Sequence, residues 1–220
     1  RFTSVIFDLD GTLIDSRAGI EESLCAAGAE HGRAFVQKEI RRHIGPPVRA
    51  ILTRLLPDAE SSVIDAIAGS YRKVYDSGGC LTAHLFPGIA ELLVELRGLG
   101  ARCFVVTNKP AAPAKLLLEH LGIAHCFEAV ATPDDPVAPF SAKPAAVAAL
   151  VRAKQIDSST ACVIGDAEDD AHGAHANQLA FIAAAYGYGE VHTQTHYPIT
   201  HVAWQSADLP QLLTTALSND

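Results

Sequence analysis

Two aspartates at the end of the first strand constrain this chain more than any other feature of its sequence. Residues 5–7 are apolar and predict a strand covered on both faces, as in a parallel sheet. Residues two apart in an extended chain point the same way, so Asp8 and Asp10 share one face. Gly11 then allows a sharp turn at the carboxyl end of the sheet, where α/β proteins bind ligands.

Two carboxylates this close repel each other unless a cation or a shared proton intervenes. The alternative for an isolated Asp-x-Asp-Gly is an ordinary solvated turn, because Asp and Gly are common turn residues. The rest of the sequence decides between the two.

Further polar groups follow the same pattern in order along the chain. A second apolar run ends in Thr107 and Asn108, and Lys143 stands just before an alanine-rich helical stretch. Another apolar run ends in Asp166, four residues before Asp170. Taken alone, Thr107 is typical of a strand end and Lys143 of a solvated helix start. Their order among the acids makes them candidates for one site.

This ordered set resembles the haloacid dehalogenase-like hydrolase superfamily. The motifs of that superfamily are a DxDGT strand end, a Ser or Thr strand end, a Lys, and a GDxxxD strand end. Segments 44–47, 86–89 and 186–189 are similar to its phosphoglycolate phosphatase-like branch. The resemblance covers almost the whole chain.

Alternating strand and helix patterns predict an α/β fold with a doubly wound, parallel, Rossmann-like core sheet of five strands. The five strands are expected near 4–8, 102–107, 126–130, 161–165 and 179–184. The family's strand order places the Asp8 strand beside the Asp166 strand, so that the two acid clusters face each other across a crevice.

The chain between the first two core strands has a different pattern. Residues of about 16–83 contain no convincing strand and show amphipathic helical periodicity, which predicts an all-helical insertion. In relatives such an insertion is a mobile helical cap. We therefore expect a catalytic core formed by 1–15 and 84–220, and a helical cap domain formed by 16–83.

The resemblance implies a Mg²⁺-dependent phosphatase and gives each motif residue a role. Asp8 is the expected nucleophile, which forms an aspartyl-phosphate, and Asp10 is the acid that protonates the leaving oxygen and then activates water. Lys143 and the Thr107 hydroxyl are expected to bind the phosphoryl oxygens, with Asn108 beside them. The expected metal ligands are Asp8, Asp166, the Asp10 backbone carbonyl and Asp170, which orients a bound water.

Specificity is expected to come from the cap. Arg49 follows the turn at 44–47 and is our candidate for binding a substrate carboxylate or second phosphate. An exposed helix charge is the alternative for this residue. The branch suggests a small phosphorylated acid or a sugar phosphate as substrate, so the expected partner is a small phosphorylated metabolite. Gly187 and Gly189 are interpreted as turn glycines.

Charge and composition narrow the possible partners. The chain has 17 Lys and Arg against 25 Asp and Glu, a formal net charge of −8, which argues against nucleic acid or an anionic membrane surface. No apolar stretch approaches the roughly 20 residues of a membrane span, and we expect no signal peptide because the sequence enters the first strand at once. Five scattered cysteines favour reduced thiols. We expect a cytoplasmic monomer or homodimer.

Two other functions remain open at this point. A phosphomutase of the β-phosphoglucomutase kind would use the same acids, although Thr12 after Gly11 fits the hydrolases better than the Val common in those mutases. A non-catalytic relative that binds phosphorylated metabolites is disfavoured because every motif acid is present. A haloacid dehalogenase is disfavoured because such enzymes lack the second acid, here Asp10.

Overall fold

A parallel sheet forms the centre of the protein in the computed structural model, which describes residues 1–214. Six strands pair in the order β5-β4-β1-β6-β7-β8, and every pair is parallel. The eight strands of the described chain are β1 Ser4–Phe7, β2 Ile14–Asp15, β3 His84–Leu85, β4 Arg102–Val106, β5 Ala129–Ala131, β6 Ala161–Gly165, β7 Ala180–Ala184 and β8 His201–Ala203.

The doubly wound α/β class is confirmed, but the predicted strand count of five is wrong by one. Strand β8 pairs with β7 through Ile182 and His201 and was not predicted. It has only three residues, too few for a hydrophobic pattern to be visible. Strand β5 also begins three residues later than the predicted strand at 126–130, since the chain first makes a short 3₁₀ turn at Ala124–Cys126.

Both faces of the sheet are covered. Val5 and Phe7 of β1 pack into one hydrophobic cluster, whereas Ile6 packs into a second cluster on the opposite face. All three side chains are fully buried. The alternation explains why these three consecutive positions are all apolar, as expected for a sheet between two helical layers.

Ten helices accompany the strands in the described chain, and none of them is both long and apolar enough to cross a membrane. They are α1 Arg17–Glu30, α2 Gln37–Arg41, α3 Val48–Leu55, α4 Ser61–Asp76, α5 Ile89–Gly98, α6 Ala111–His120, α7 Lys143–Lys154, α8 Glu168–Ala176, α9 Val191–Gln194 and α10 Leu209–Thr214.

Helices α1–α4 form the segment between β2 and β3, which we call the helical insertion (16–83). Strands β2 and β3 pair antiparallel, with Ile14 opposite Leu85. The chain therefore leaves the sheet and returns to it through one two-stranded ribbon. The division into a core and a cap domain stays a prediction. The last six residues of the predicted core, 215–220, lie outside the described residues.

Candidate active site

Three neighbouring strands end at the same edge of the sheet and bring the motif residues together. Asp8 follows β1, Thr107 follows β4 and Asp166 follows β6, and β1 lies between the other two. The Asp8 N–H donates to the Ile164 carbonyl at 2.9 Å, which extends the β1–β6 ladder to Asp8. The sheet edge thus sets the spacing of these side chains.

Lys143 binds two of the acids at once. Its ammonium lies 2.7 Å from Asp8 Oδ1 and 2.6 Å from Asp170 Oδ1, and all three side chains are buried. Lys143 is the first residue of α7, whereas Asp170 lies in the first turn of α8. The second oxygen of Asp170 accepts from the Ala167 N–H at 3.1 Å, so this acid also closes the start of its own helix.

Asp8, Asp166 and Asp170 form a carboxylate cluster with ligand atoms within 4.8 Å of one another. Burial raises the pKa of Asp8 to about 7, and Lys143 opposes that rise while Asp170 adds to it. Burial also raises the pKa of Asp166 and of Asp170 to about 6. Burial lowers the pKa of Lys143, but Asp170 and Asp8 more than compensate, so its pKa is raised overall.

The donor set fits a hard divalent cation. Three buried carboxylates share one ammonium, which leaves negative charge that the protein alone does not compensate. Hard cations such as Mg²⁺ prefer oxygen ligands of this kind. The structure therefore supplies the charge and the oxygen atoms that the predicted metal requires.

A glycine-rich turn, residues 187–189, holds Asp166. Its Oδ2 accepts from the Tyr188 N–H at 2.6 Å and from the Gly189 N–H at 3.0 Å. A Cβ on Gly187 would lie 2.3 Å from the Gly11 carbonyl oxygen and 2.4 Å from Asp166 Cβ, so no side chain fits there. The glycines are needed for this close approach, which the interpretation as ordinary turn glycines missed because it is a tertiary contact.

Asp10 lies at the boundary between the core and the helical insertion. Its Oδ1 is 3.1 Å from the Lys109 ammonium and accepts a hydrogen bond from the Ser16 hydroxyl. Lys109 also donates to the Tyr75 hydroxyl of α4 at 2.8 Å. Sequence reasoning missed Lys109, Ser16 and Tyr75. The available signal for Lys109 was its place directly after Thr107 and Asn108 at a strand end.

The proposed substrate-binding residues differ in their surroundings. Thr107 is buried, and its hydroxyl accepts from the Lys109 N–H at 3.1 Å. Asn108 and Arg49 both line the cavity beside Asp8. The Arg49 guanidinium, however, donates to the Ser61 hydroxyl at 2.7 Å and forms an ion pair with Asp65. Its assignment as a substrate contact stays a prediction.

Two cavities meet at the turn Ile44–Pro46. The first has a volume of about 580 Å³ and contains Asp8, Asp10 and Thr107. The second, of about 1250 Å³, reaches Asp166 from the other side. Its cations are Arg17, Lys38, Arg41, Arg42 and Arg54. Asp8 and Asp10 therefore face the first cavity, which we call the substrate cavity.

A family comparison identifies the arrangement. The sequence model of the haloacid dehalogenase-like hydrolase family matches residues 5–184, which include every motif residue described above. The chain belongs to this family. Its resemblance to the phosphoglycolate phosphatase-like branch of these hydrolases is also confirmed by individual relatives.

Three relatives of this chain illustrate the range of the family. Phosphoglycolate phosphatase of Rhodospirillum rubrum is 30% identical over 194 residues, which cover 84% of this chain and 80% of the relative. A 5'-nucleotidase of Pseudomonas aeruginosa is 31% identical over 215 residues, covering 97% of this chain and 96% of the relative.

The third relative is tyrosine-protein kinase PtkA of Mycobacterium tuberculosis. It is 33% identical over 188 residues, or 84% of this chain, and the match spans 62% of the length of PtkA. A solved PtkA structure superimposes with a TM-score of 0.81 at 30% identity, covering 97% of this chain and 99% of that one. Relatives of this chain are therefore named for three different activities, so family membership does not identify a substrate.

Proposed function

We propose that this chain is a Mg²⁺-dependent phosphatase that hydrolyses a small phosphomonoester through an aspartyl-phosphate on Asp8. The observation that carries the proposal is the placement of Asp8 at a strand end, bound by Lys143 and within 4.8 Å of two further acids. Membership of a hydrolase family and similarity to named phosphatases support it.

The proposed reaction has two displacements. An oxygen of Asp8 attacks phosphorus, the bond to the leaving oxygen breaks, and Asp10 gives its proton to that oxygen. Asp10, now a carboxylate, then takes a proton from a water that attacks the same phosphorus. This releases inorganic phosphate and restores Asp8, and the proton on Asp10 restores the acid.

The other residues bind and neutralise the phosphoryl group. We expect Lys143, which is bound to Asp8, and the Thr107 hydroxyl to bind its oxygens, and Thr107 and Asn108 line the substrate cavity. The residues that would hold Mg²⁺ are Asp8, Asp166, the Asp10 backbone carbonyl and Asp170. When bound, the ion would offset the negative charge that otherwise keeps a carboxylate away from a phosphate dianion.

We propose further that the helical insertion is the cap of this enzyme. It borders the substrate cavity through α3 and α4, and Tyr75 of α4 contacts Lys109 of the core. Closure over bound substrate would exclude water and bring these groups together. Binding energy from the leaving group would then help to assemble the site.

Phosphate release tests the function. Wild-type protein should release phosphate from p-nitrophenyl phosphate with Mg²⁺, and excess chelator should abolish the release until Mg²⁺ is restored. Asp8→Asn should lose turnover by at least about a thousandfold, since the covalent step is removed. The control Asp58→Asn, an exposed acid between α3 and α4, should keep wild-type rates.

Trapping with a beryllium fluoride complex locates the nucleophile. The adduct should form on Asp8 in wild-type protein and be absent from Asp8→Asn. Full activity in excess chelator would contradict the metal assignment. An adduct on another residue, or rapid turnover by Asp8→Asn, would contradict the proposed nucleophile.

A further inference from the structure

The substrate cavity is large, and its far wall is mostly apolar. Its volume of about 580 Å³ lies within the range of pockets that enclose drug-sized ligands. The wall opposite the catalytic acids is formed by side chains of the helical insertion, namely Ile20, Ile44, Pro46, Val48, Ile51 and Tyr71. A phosphomonoester of a two-carbon acid would leave most of this wall in contact with water.

The wall also has an aromatic component. Tyr71 and Tyr75 stack on each other, with ring centroids 5.2 Å apart and planes 17° apart. Both line the cavity, and both are at least nine-tenths buried. Aromatic surface of this kind favours contact with a planar group over contact with a small hydrated one.

Each cation on the wall already has an acidic neighbour. Arg49 forms an ion pair with Asp65, and Lys109 lies 3.1 Å from Asp10. The third cation, Arg72, is exposed, and only its charge influences Asp76. Burial raises the pKa of Asp76, while Lys109 and Arg72 oppose that rise.

Asp134 adds one more negative group to the rim of the cavity. Among the described residues that line it, Arg49 and Lys109 are therefore already paired with an acid, and Arg72 is exposed to solvent. At Arg49 or Lys109, a leaving group with its own carboxylate or phosphate would have to displace the paired acid and would lose an existing ion pair.

We infer that the leaving group of the substrate is bulky and uncharged, with a planar or apolar body such as that of a nucleoside or an aryl alcohol. The inference rests on the proposed phosphatase function and sharpens it. Phosphate binds at Asp8 beside Lys143, and the body of the leaving group contacts the apolar wall of the insertion. Phosphoglycolate, which has a second anion and no apolar body, is then a poor substrate.

Four phosphomonoesters separate the possibilities. With Mg²⁺, kcat/KM for adenosine 5'-monophosphate or p-nitrophenyl phosphate should exceed the values for ribose 5-phosphate and phosphoglycolate at least tenfold. If only adenosine 5'-monophosphate has the higher kcat/KM, the leaving group is a nucleoside. If only p-nitrophenyl phosphate has it, the leaving group is an aryl alcohol. If phosphoglycolate or ribose 5-phosphate is best, the inference is wrong and the phosphatase function stands.

Absence of Mg²⁺-dependent phosphate release from all four esters would overturn the proposed function instead. In that case, the binding affinities of the esters test the inference about the leaving group independently of turnover. Calorimetry on Asp10→Asn with Mg²⁺ should show adenosine 5'-monophosphate or p-nitrophenyl phosphate binding at least tenfold more tightly than ribose 5-phosphate. Equal affinities would overturn the inference.

Filling the cavity provides a second test. Val48→Trp places a large ring on the half-buried wall and should lower kcat/KM for the preferred bulky ester at least tenfold, with a smaller loss for ribose 5-phosphate. The matched control is Val94→Trp on α5, 67% exposed, which should leave the preference unchanged. Circular dichroism checks that both variants fold. An unchanged preference in folded Val48→Trp would refute the inference.

Discussion

The core and the helical insertion contribute charged groups of different kinds to the same cavity. On the core side, the Lys143, Asp8 and Asp170 side chains are 3%, 8% and 2% exposed, and Lys143 touches both acids. On the insertion side, the Arg49 and Asp65 side chains are 49% and 60% exposed. The same type of contact is therefore buried on one side and solvated on the other.

This difference separates chemistry from recognition. Removing one partner of a buried charge pair costs roughly 3–5 kcal/mol, because the other charge is left without compensation. An exposed pair contributes about 0–1 kcal/mol. Substitutions on the core side should therefore affect both folding and turnover, whereas substitution of the exposed pair on the insertion side should be tolerated.

The largest effect is expected from Lys143→Met. In chelator, Asp8, Asp166 and Asp170 have pKa values of about 7, 6 and 6, above the ordinary 3.8. Between about pH 4 and 7 the folded protein thus binds more protons than the unfolded chain, and its stability falls as pH rises. Losing the ammonium should add a loss of about 3–5 kcal/mol near pH 8 and a smaller one near pH 5.

Urea denaturation in chelator at the two pH values measures this difference. The control Lys115→Met, at a position 77% exposed on α6, should change the free energy of unfolding by less than about 0.5 kcal/mol at either pH. Equal losses for Lys143→Met at both pH values would show that the Lys143 charge does not favour the ionised form of the carboxylates.

The next largest effect is expected from Gly187→Ala, which adds a single methyl group to the turn that holds Asp166. Gly187→Ala would place its Cβ against Asp166 and the Gly11 carbonyl, so Asp166 must move. We expect Mg²⁺ affinity to fall by about 10–100-fold, as when the support of a metal ligand is lost. Titration of phosphate release with Mg²⁺ measures it.

A glycine-to-alanine substitution in the helical insertion provides the comparison with Gly187→Ala. A Cβ on Gly69 of α4 would meet nothing within 4 Å, so Gly69→Ala should stabilise the helix by about 0.5–1 kcal/mol and leave Mg²⁺ affinity unchanged. Similar Mg²⁺ affinities in the two variants would mean that the turn at 187–189 does not position Asp166.

The smallest effect is expected from Arg49→Ala. The sequence alone predicts a strong loss of kcat/KM for a substrate with a second anion. The ion pair with Asp65 instead predicts a loss of less than about 1 kcal/mol in stability and less than about fivefold in kcat/KM.

Arg42→Ala is the matched control, because Arg42 pairs with Glu39 and lines the other cavity. Both variants should be assayed with phosphoglycolate and with p-nitrophenyl phosphate. A large loss for Arg49→Ala confined to phosphoglycolate would restore Arg49 as an anion-binding residue and remove the argument for an uncharged leaving group.

The order of residues along the chain was sufficient to predict where three candidate site residues lie, because each directly follows an apolar strand. Asp8, Thr107 and Asp166 lie at one sheet edge for that reason, and Lys143 is placed by the start of α7. The predicted roles of these residues await the experiments above. The helical character of 16–83 was visible because amphipathic periodicity is a local property.

Contacts between distant segments could not be predicted in this way. Lys109 belongs to the candidate site because its ammonium contacts Asp10 and the hydroxyl of Tyr75, 34 residues earlier. The need for Gly187 depends on Gly11 and Asp166, and the pairing of Arg49 depends on how α3 packs on α4. Burial and partner choice are set by tertiary packing, which one sequence does not display.

The ribbon of β2 and β3 gives the insertion a property of its own. Because Ile14 lies opposite Leu85, the two points where the insertion joins the rest of the chain are adjacent in space. A segment with neighbouring ends can be exchanged for another of different length without shifting the register of the central sheet. Recombination at this ribbon offers a direct route to new substrate preferences while the acids at the sheet edge stay in place.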